Sequence, residues 1–202
     1  MKKELDEALC AKYPLIFRDR HANMQTTAMC WGFECGDGWF NILNQLMGNI
    51  QHHIDWKEKQ RDGAIKYNEI AEAGKSGNVE LFADLVAKEY ADKPTISADY
   101  IRERCEDMIK NPLRDIPDAV PQVTLDQVKE KFGTLRFYYT GGDDYISGMV
   151  TMAEAMSGVT CEGCGNPGER KGGGWVHTYC EPCEEKREAE RASYAKQNGF
   201  EE

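Results

Sequence analysis

Apolar residues recur at helical spacing in several segments of this chain. Residues 3–12 alternate apolar and charged positions, which predicts a short amphipathic helix that ends before Pro14. Asp37 and Gly38 predict a turn and cap, and the apolar run after them predicts a core helix over about residues 39–59. Residues 61–118 are charge-rich with helical periodicity, and we interpret them as a helical insertion.

Alternation of apolar and polar residues on either side of residues 131–133 predicts a β-hairpin over residues 123–139. Side chains alternate between the two faces of a strand, so one face of its second arm belongs to the core and the other faces a ligand or solvent. The expected outer face of this arm carries Thr134, Arg136 and Tyr138. Two glycines then lead into an apolar helical pattern over about residues 145–157.

These elements together predict an α+β fold, in which a small antiparallel sheet is packed by helices. We predict a core domain over residues 1–158, with the helical insertion at about 61–118. The remaining residues, 159–202, are predicted to form a zinc-ribbon module followed by a charged C-terminal helix.

Four cysteines near the C-terminus have the spacing of a zinc site. They form two Cys-x-x-Cys pairs separated by 15 residues, and they are Cys161, Cys164, Cys180 and Cys183. Two intervening residues allow both sulfurs of a pair to reach one ion at about 2.3 Å. Four thiolates leave no open coordination position, so we predict a structural Zn²⁺. His177 is a weaker candidate ligand because four cysteines are already in register.

The charge of the chain argues against several partners. Its 25 basic and 35 acidic residues give a formal net charge of −10, which repels phosphate backbones and anionic membranes. Residues 161–202 carry six Lys/Arg and nine Asp/Glu, so the expected ribbon is not a nucleic-acid binder. With no apolar run of spanning length and no signal-peptide core at its start, we expect a cytoplasmic protein whose other four cysteines are free thiols.

A set of aromatic, basic and acidic residues has the chemistry to bind a nucleotide-like ligand. Aromatic rings stack on bases, cations meet phosphates and carboxylates accept hydrogen bonds from ribose hydroxyls. The candidates are Trp31, Trp39, Tyr138 and Tyr139 for the base, Arg18, Arg20, Lys131 and Arg136 for phosphate, and Asp143 and Asp144 for ribose. Ordinary structural roles compete with this interpretation: residues 18–27 also suit a solvated loop, and the two aspartates suit a helix cap.

Residues 30–40, residues 131–139 with 141–144, and the two Cys-x-x-Cys pairs together resemble a group of uncharacterised proteins encoded by tailed phages and prophages. The similarity covers both ends of the chain and omits residues 60–118. The resemblance implies a phage accessory protein made in the bacterial cytoplasm. Small accessory proteins of this kind often act against host defence.

Three functions remain open at this point. The leading hypothesis is a non-catalytic anti-defence sponge that sequesters a small nucleotide-derived signal. The second is a metal-dependent hydrolase of a nucleotide-like substrate, which would use Asp37, His52, His53, Asp143 and Asp144, although no catalytic motif joins them. The third is an inhibitor that binds a host protein. The sequence leaves self-association open.

Overall fold

The structure is a computed structural model, and it describes residues 1–25, 27–172 and 175–199. The chain divides into two compact units, one formed by Met1–Ile54 with Pro121–Glu202 and the other by Asp55–Val120. The predicted boundary near residue 158 falls inside the first unit, and the predicted insertion at 61–118 falls inside the second.

The predicted α+β class is confirmed by the helices and two small sheets of the described residues. The helices are α1 Lys3–Lys12, α2 Phe40–Lys75, α3 Val79–Tyr90, α4 Ala98–Lys110, α5 Asp144–Ser157 and α6 Glu181–Asn198. The strands are β1 Phe33–Glu34, β2 Thr124–Lys131, β3 Thr134–Thr140, β4 Glu169–Lys171 and β5 His177–Tyr179. No helix in these described parts of the chain is both long and apolar enough to cross a bilayer.

The larger sheet has the order β1-β2-β3. The predicted hairpin is present, since β2 and β3 pair antiparallel from Lys131 opposite Thr134. The sheet is not wholly antiparallel, however, because β1 adds to β2 in parallel with Phe33 opposite Val128. A strand of two residues is too short to show the alternation by which strands are recognised in a sequence.

Helix α5 covers the outer edge of β3. Its Ser157 Oγ accepts a hydrogen bond from the backbone N–H of Leu135 at 2.8 Å, and its Glu154 Oε1 accepts one from Phe137 at 3.0 Å. Ile146 of the same helix is fully buried. These contacts satisfy strand N–H groups that would otherwise be exposed at a sheet edge, and they fix α5 against the hairpin.

The second unit is helical. Its core contains Tyr67, Ile70, Ala71 and Met108, with Phe82, Leu85 and Val86 packed against them. Asn78 caps α3 through the N–H of Leu81, and Ser97 caps α4 through the N–H of Tyr100. Helix α2 continues well past the predicted end near residue 59, because the exposed Gly63 weakens a helix without ending it.

Candidate metal centre and ligand cavities

The four predicted ligand cysteines converge. Their four Sγ atoms, from Cys161, Cys164, Cys180 and Cys183, all lie within 4.8 Å of one another. The Sγ atoms of Cys164 and Cys180 are 3.5 Å apart. Sulfurs at the corners of a tetrahedron around zinc, each about 2.3 Å from the metal, lie about 3.8 Å apart. The spacing is too long for a disulfide, whose sulfurs are about 2.05 Å apart. This cluster can hold a metal ion.

Local geometry aims both cysteine pairs at one point. In the first pair, Gly165 N donates to Cys161 O at 2.9 Å, in a turn where Gly165 has a φ of +82° that favours glycine. The antiparallel β4–β5 hairpin brings the chain back beside this turn. Cys180 then occupies the position just before α6, so Cys183 lies in the first turn of that helix.

The segment 36–39 backs the first cysteine pair. Gly38 N donates to Glu162 O and Gly36 N donates to Glu162 Oε1, both at 2.8 Å. Trp39 is fully buried, and its indole Nε1 donates to Thr160 O at 2.9 Å. The metal cluster is therefore built onto the first unit by contacts between residues more than 120 positions apart in the chain.

The thiols do not ionise easily as a group. Burial opposes ionisation of Cys161, but hydrogen bonds from the backbone of Cys180 and Cys164 outweigh it and lower its pKa to about 7. Burial, followed by the three neighbouring thiols, raises the pKa of Cys183. The Cys161 thiolate thus forms readily, while the raised pKa values of Cys164 and Cys183 oppose a second negative charge. A bound cation would favour ionisation of all four, so the donor set suits a metal.

Three polar side chains, those of the buried His177 and the partly buried Glu184 and Arg187, meet beside the second cysteine pair. His177 Nε2 is 2.8 Å from Glu184 Oε2, and Arg187 Nη2 donates to Glu184 Oε1 at 2.6 Å. The hydrogen bond from Arg187 holds the pKa of Glu184 below its usual range. His177 Nδ1 is 3.0 Å from Trp175 O, so both ring nitrogens have protein partners. We assign His177 a packing role beside the metal cluster. No pattern in the sequence singles out Glu184 or Arg187.

The predicted nucleotide-binding residues do not form one site. Trp39 lies in the core with no exposed ring face, which is a correction to its expected stacking role. The guanidinium of Arg20 already has two partners within the protein, because its Nη2 donates to Asp6 Oδ2 at 2.9 Å and its Nη1 donates to Met29 O at 2.6 Å. Trp31 is 68% exposed, and Arg18 is exposed with Asp19 4.0 Å away.

The remaining candidates are divided between the hairpin and the start of α5. Tyr138 is exposed beneath Lys129, whose Nζ lies 5.2 Å from the ring centroid, and Lys131 is similarly placed over Phe132. Arg136 donates to Thr134 Oγ1 at 2.7 Å and lies 3.6 Å from Glu154. Tyr139 is half-buried, with its ring centroid 5.8 Å from that of Phe137. Most of these cations already have partners in the protein.

The residues suggested for a hydrolase come together only in part. Asp143 Oδ1 caps α5 through the N–H of Ile146, while its Oδ2 lies 2.9 Å from His53 Nε2. Asp144 is exposed, and Asp37 is bound by the backbone N–H of Lys2 at 2.7 Å. Within residues 1–25, 27–172 and 175–199, the one group of metal-ligating side chains that meets at a point is the cysteine cluster.

Two cavities of the second unit share Arg114, and we call them the Arg114 cavities. The larger has a volume of about 530 Å³ and is lined by residues including Trp56, Lys59, Gln60 and Asp115. The other, of about 360 Å³, is lined by residues including Lys66, Tyr67, Tyr90, Lys93 and Arg104. Both volumes fall in the range of about 300–1,000 Å³ that is usual for small-molecule sites.

Arg114 is held in place from both sides. Asn68, which is buried, donates to Arg114 O at 2.9 Å and accepts from Arg114 N at 2.8 Å. The guanidinium lies 3.9 Å from the ring centroid of Tyr67, with the guanidinium of Arg104 5.9 Å from the same ring. Sequence analysis missed this site because the charge pattern of residues 61–118 is also that of an ordinary solvated helix surface.

Comparisons with protein-family models, with curated proteins and with solved structures found no match for this chain.

Proposed function

We propose that the cysteine cluster holds one structural zinc ion. The observation that carries this proposal is the convergence of four sulfurs at separations bracketing the 3.8 Å or so of a tetrahedral zinc–thiolate site. With all four positions taken by sulfur, the ion has no place for a substrate. Its role is to stabilise the fold around residues 160–187.

Metal analysis of the purified protein tests this proposal. We expect about one zinc per chain by mass spectrometry, and its loss in Cys161→Ser. Cys30→Ser is the matched control, because Cys30 lies outside the cluster with its Sγ 3.4 Å from Thr27 O. Equal zinc content in the two variants, or a different metal in the unmodified protein, would contradict the assignment.

We further propose that the protein is a non-catalytic sponge, which sequesters a small nucleotide-derived anion in the Arg114 cavities. The carrying observation is the meeting of aromatic rings and cations at one fixed arginine. Trp56, which is 46% exposed, and Tyr100 of the smaller cavity, which is 53% exposed, supply faces on which a base can stack. Arg114 and its neighbouring lysines supply donors for phosphate.

The ion pairs described within this unit involve few of the cations that line the Arg114 cavities. They join Lys93 to Glu89, Arg102 to Asp99 and Lys110 to Glu106. Among the cations that line the Arg114 cavities, Lys93 is the one that takes part in these described ion pairs. A chain of net charge −10 repels anions overall, so capture depends on such a local cluster. Asn68 holds the backbone of Arg114 and the Tyr67 ring holds its guanidinium, which together reduce the ordering cost of binding.

The test measures binding and the fate of the ligand together. The resemblance to phage proteins directs the choice of probes to cyclic dinucleotides, cyclic mononucleotides and ADP-ribose derivatives. Each is incubated with the protein, and free ligand, heat-released ligand and degradation products are then separated by chromatography. We expect at least one probe to disappear from solution and return intact on denaturation.

Variants locate the site. Arg114→Ala should weaken binding at least about tenfold, because it removes a charged donor worth more than about 1.4 kcal/mol. Arg102→Ala, an exposed cation of the same unit outside both cavities, should bind as the unmodified protein does. Degradation products would favour the hydrolase, and no binding by any probe would favour a host-protein target. Equal binding by the two variants would exclude the Arg114 cavities.

A further inference from the structure

Helix α5 carries an apolar stripe that is wider than the part covered by the core of the first unit. One side, with Ile146, Val150, Ala153 and Ser157, is buried in the first unit. The adjoining side, roughly a quarter turn around the helix, carries Tyr145, Met149, Met152 and Met156, and Val159 extends it just beyond the helix. Four of these five are exposed large apolar residues: Tyr145 at 64%, Met152 at 65%, Met156 at 47% and Val159 at 66%. The apolar stripe of a helix in a globular protein normally faces a packed partner along its whole width.

The exposed side has the spacing of a helix-pairing seam. Its residues follow one another at intervals of four, three, four and three positions, the a/d pattern by which helices pack together. The seam is about 20 Å long at 1.5 Å per residue. Gly148 lies on the same exposed side, and a Cβ built there would meet nothing within 4 Å, so a second helix can approach closely.

The seam borders a groove against α2. This groove has a volume of about 350 Å³, and its α2 wall includes Asn41, Gln45 and Asn49. All nine residues that line it are uncharged, in a chain in which 30% of residues are charged. The α5 residue Glu154 is turned away, with its carboxylate on Phe137 N.

We infer that this face, α5 with the adjoining turns of α2, is the contact between two copies of the chain. Two molecules of net charge −10 repel each other and can come together only where carboxylates are absent. In a two-fold pair the same surface meets itself. The amides at positions 41, 45 and 49 suit such a pair, since each is both donor and acceptor and can bond to its own kind. The apolar side chains of the seam can likewise pack against the same side chains of the second copy.

Sedimentation equilibrium over about 1–200 μM protein tests the inference. We expect the mass to rise from 22.9 kDa toward twice that value, about 46 kDa, with increasing concentration. Added NaCl should tighten the dimer, because it screens the repulsion between acidic copies and leaves apolar contact intact. A pair held by ion pairs would weaken instead.

Two substitutions at one exposed position provide the decisive comparison. Met152→Glu places a carboxylate in the seam of both copies and should raise the dimer dissociation constant at least about tenfold. Met152→Leu keeps the position apolar and should dimerise like the unmodified protein. Since Met152 is exposed, both variants should fold, which circular dichroism and metal content verify. A monomer at every concentration, or a dimer equally stable in both variants, would overturn the inference.

Discussion

Substitution of Gly38 by alanine tests how the metal cluster is attached to the rest of its unit. A Cβ at this position would lie 2.2 Å from Cys161 O and 2.4 Å from Gly165 N, both of them backbone atoms of the first cysteine pair. Ordinary contacts of a Cβ begin near 3.4 Å, so one side must move by about 1 Å. Gly38 is not among the residues with positive φ, and the effect of alanine is therefore steric.

The magnitude follows from the contacts that the shift would break. Overpacking in a close-packed interior costs about 1–3 kcal/mol, and rigid backbone on the opposing side places this case at the upper end. That cost includes about 1 kcal/mol from loss of the Gly38 N to Glu162 O hydrogen bond. We expect a loss of about 3 kcal/mol in the free energy of unfolding. If the cysteine pair must return to its original position to bind zinc, the same energy opposes binding, and the affinity of the protein for zinc should fall about 100-fold.

Urea unfolding and zinc competition with a chromophoric chelator measure the two quantities. Gly63→Ala is the control, since a Cβ there meets nothing within 4 Å and the residue lies inside α2. It should leave zinc affinity unchanged and should stabilise its helix by about 0.5–1 kcal/mol. Gly38→Ala with a zinc affinity within threefold of the unmodified protein, and with unchanged stability, would refute the close packing of segment 36–39 on the cysteine pair.

Two further predictions concern buried groups of the first unit. Trp39→Phe should destabilise the protein by about 2–3 kcal/mol in urea, because it leaves a cavity in the core and removes the indole donor of the Thr160 carbonyl; a change below about 0.5 kcal/mol would contradict this account. Burial raises the pKa of Cys10 and of Cys35 from 9.0 to about 12, so iodoacetamide at pH 8 should label both roughly 1,000-fold more slowly in the native than in the urea-unfolded protein, as read by mass spectrometry. The pKa values of both thiols are higher in the folded than in the unfolded protein, so their contribution to stability is present below about pH 9 and is lost as the pH rises toward 12. A free energy of unfolding that stays level from about pH 9 to 12 would argue against their burial.

The candidate ligand sites show where reasoning from residue type reaches its limit. Trp39 and Arg20 have the chemistry of nucleotide binding, yet one is a core residue and the other is paired with Asp6. The guanidinium of Arg114, by contrast, is exposed at a cavity. It lies in a segment whose sequence predicts no more than charged helices. Residue type specifies what a side chain can bind, whereas its neighbours decide whether it is available.

The sequence by itself determined the features that depend on near neighbours along the chain. Alternation predicts the β2–β3 hairpin, and the two-residue gap within each cysteine pair predicts the metal cluster. Only the tertiary structure decided the contact of segment 36–39 with residues 160–165, the parallel pairing of β1 and the position of Arg114 over Tyr67. Such contacts join residues far apart in the chain, and they depend on the combined packing of many side chains, which leaves no periodic signal in the sequence.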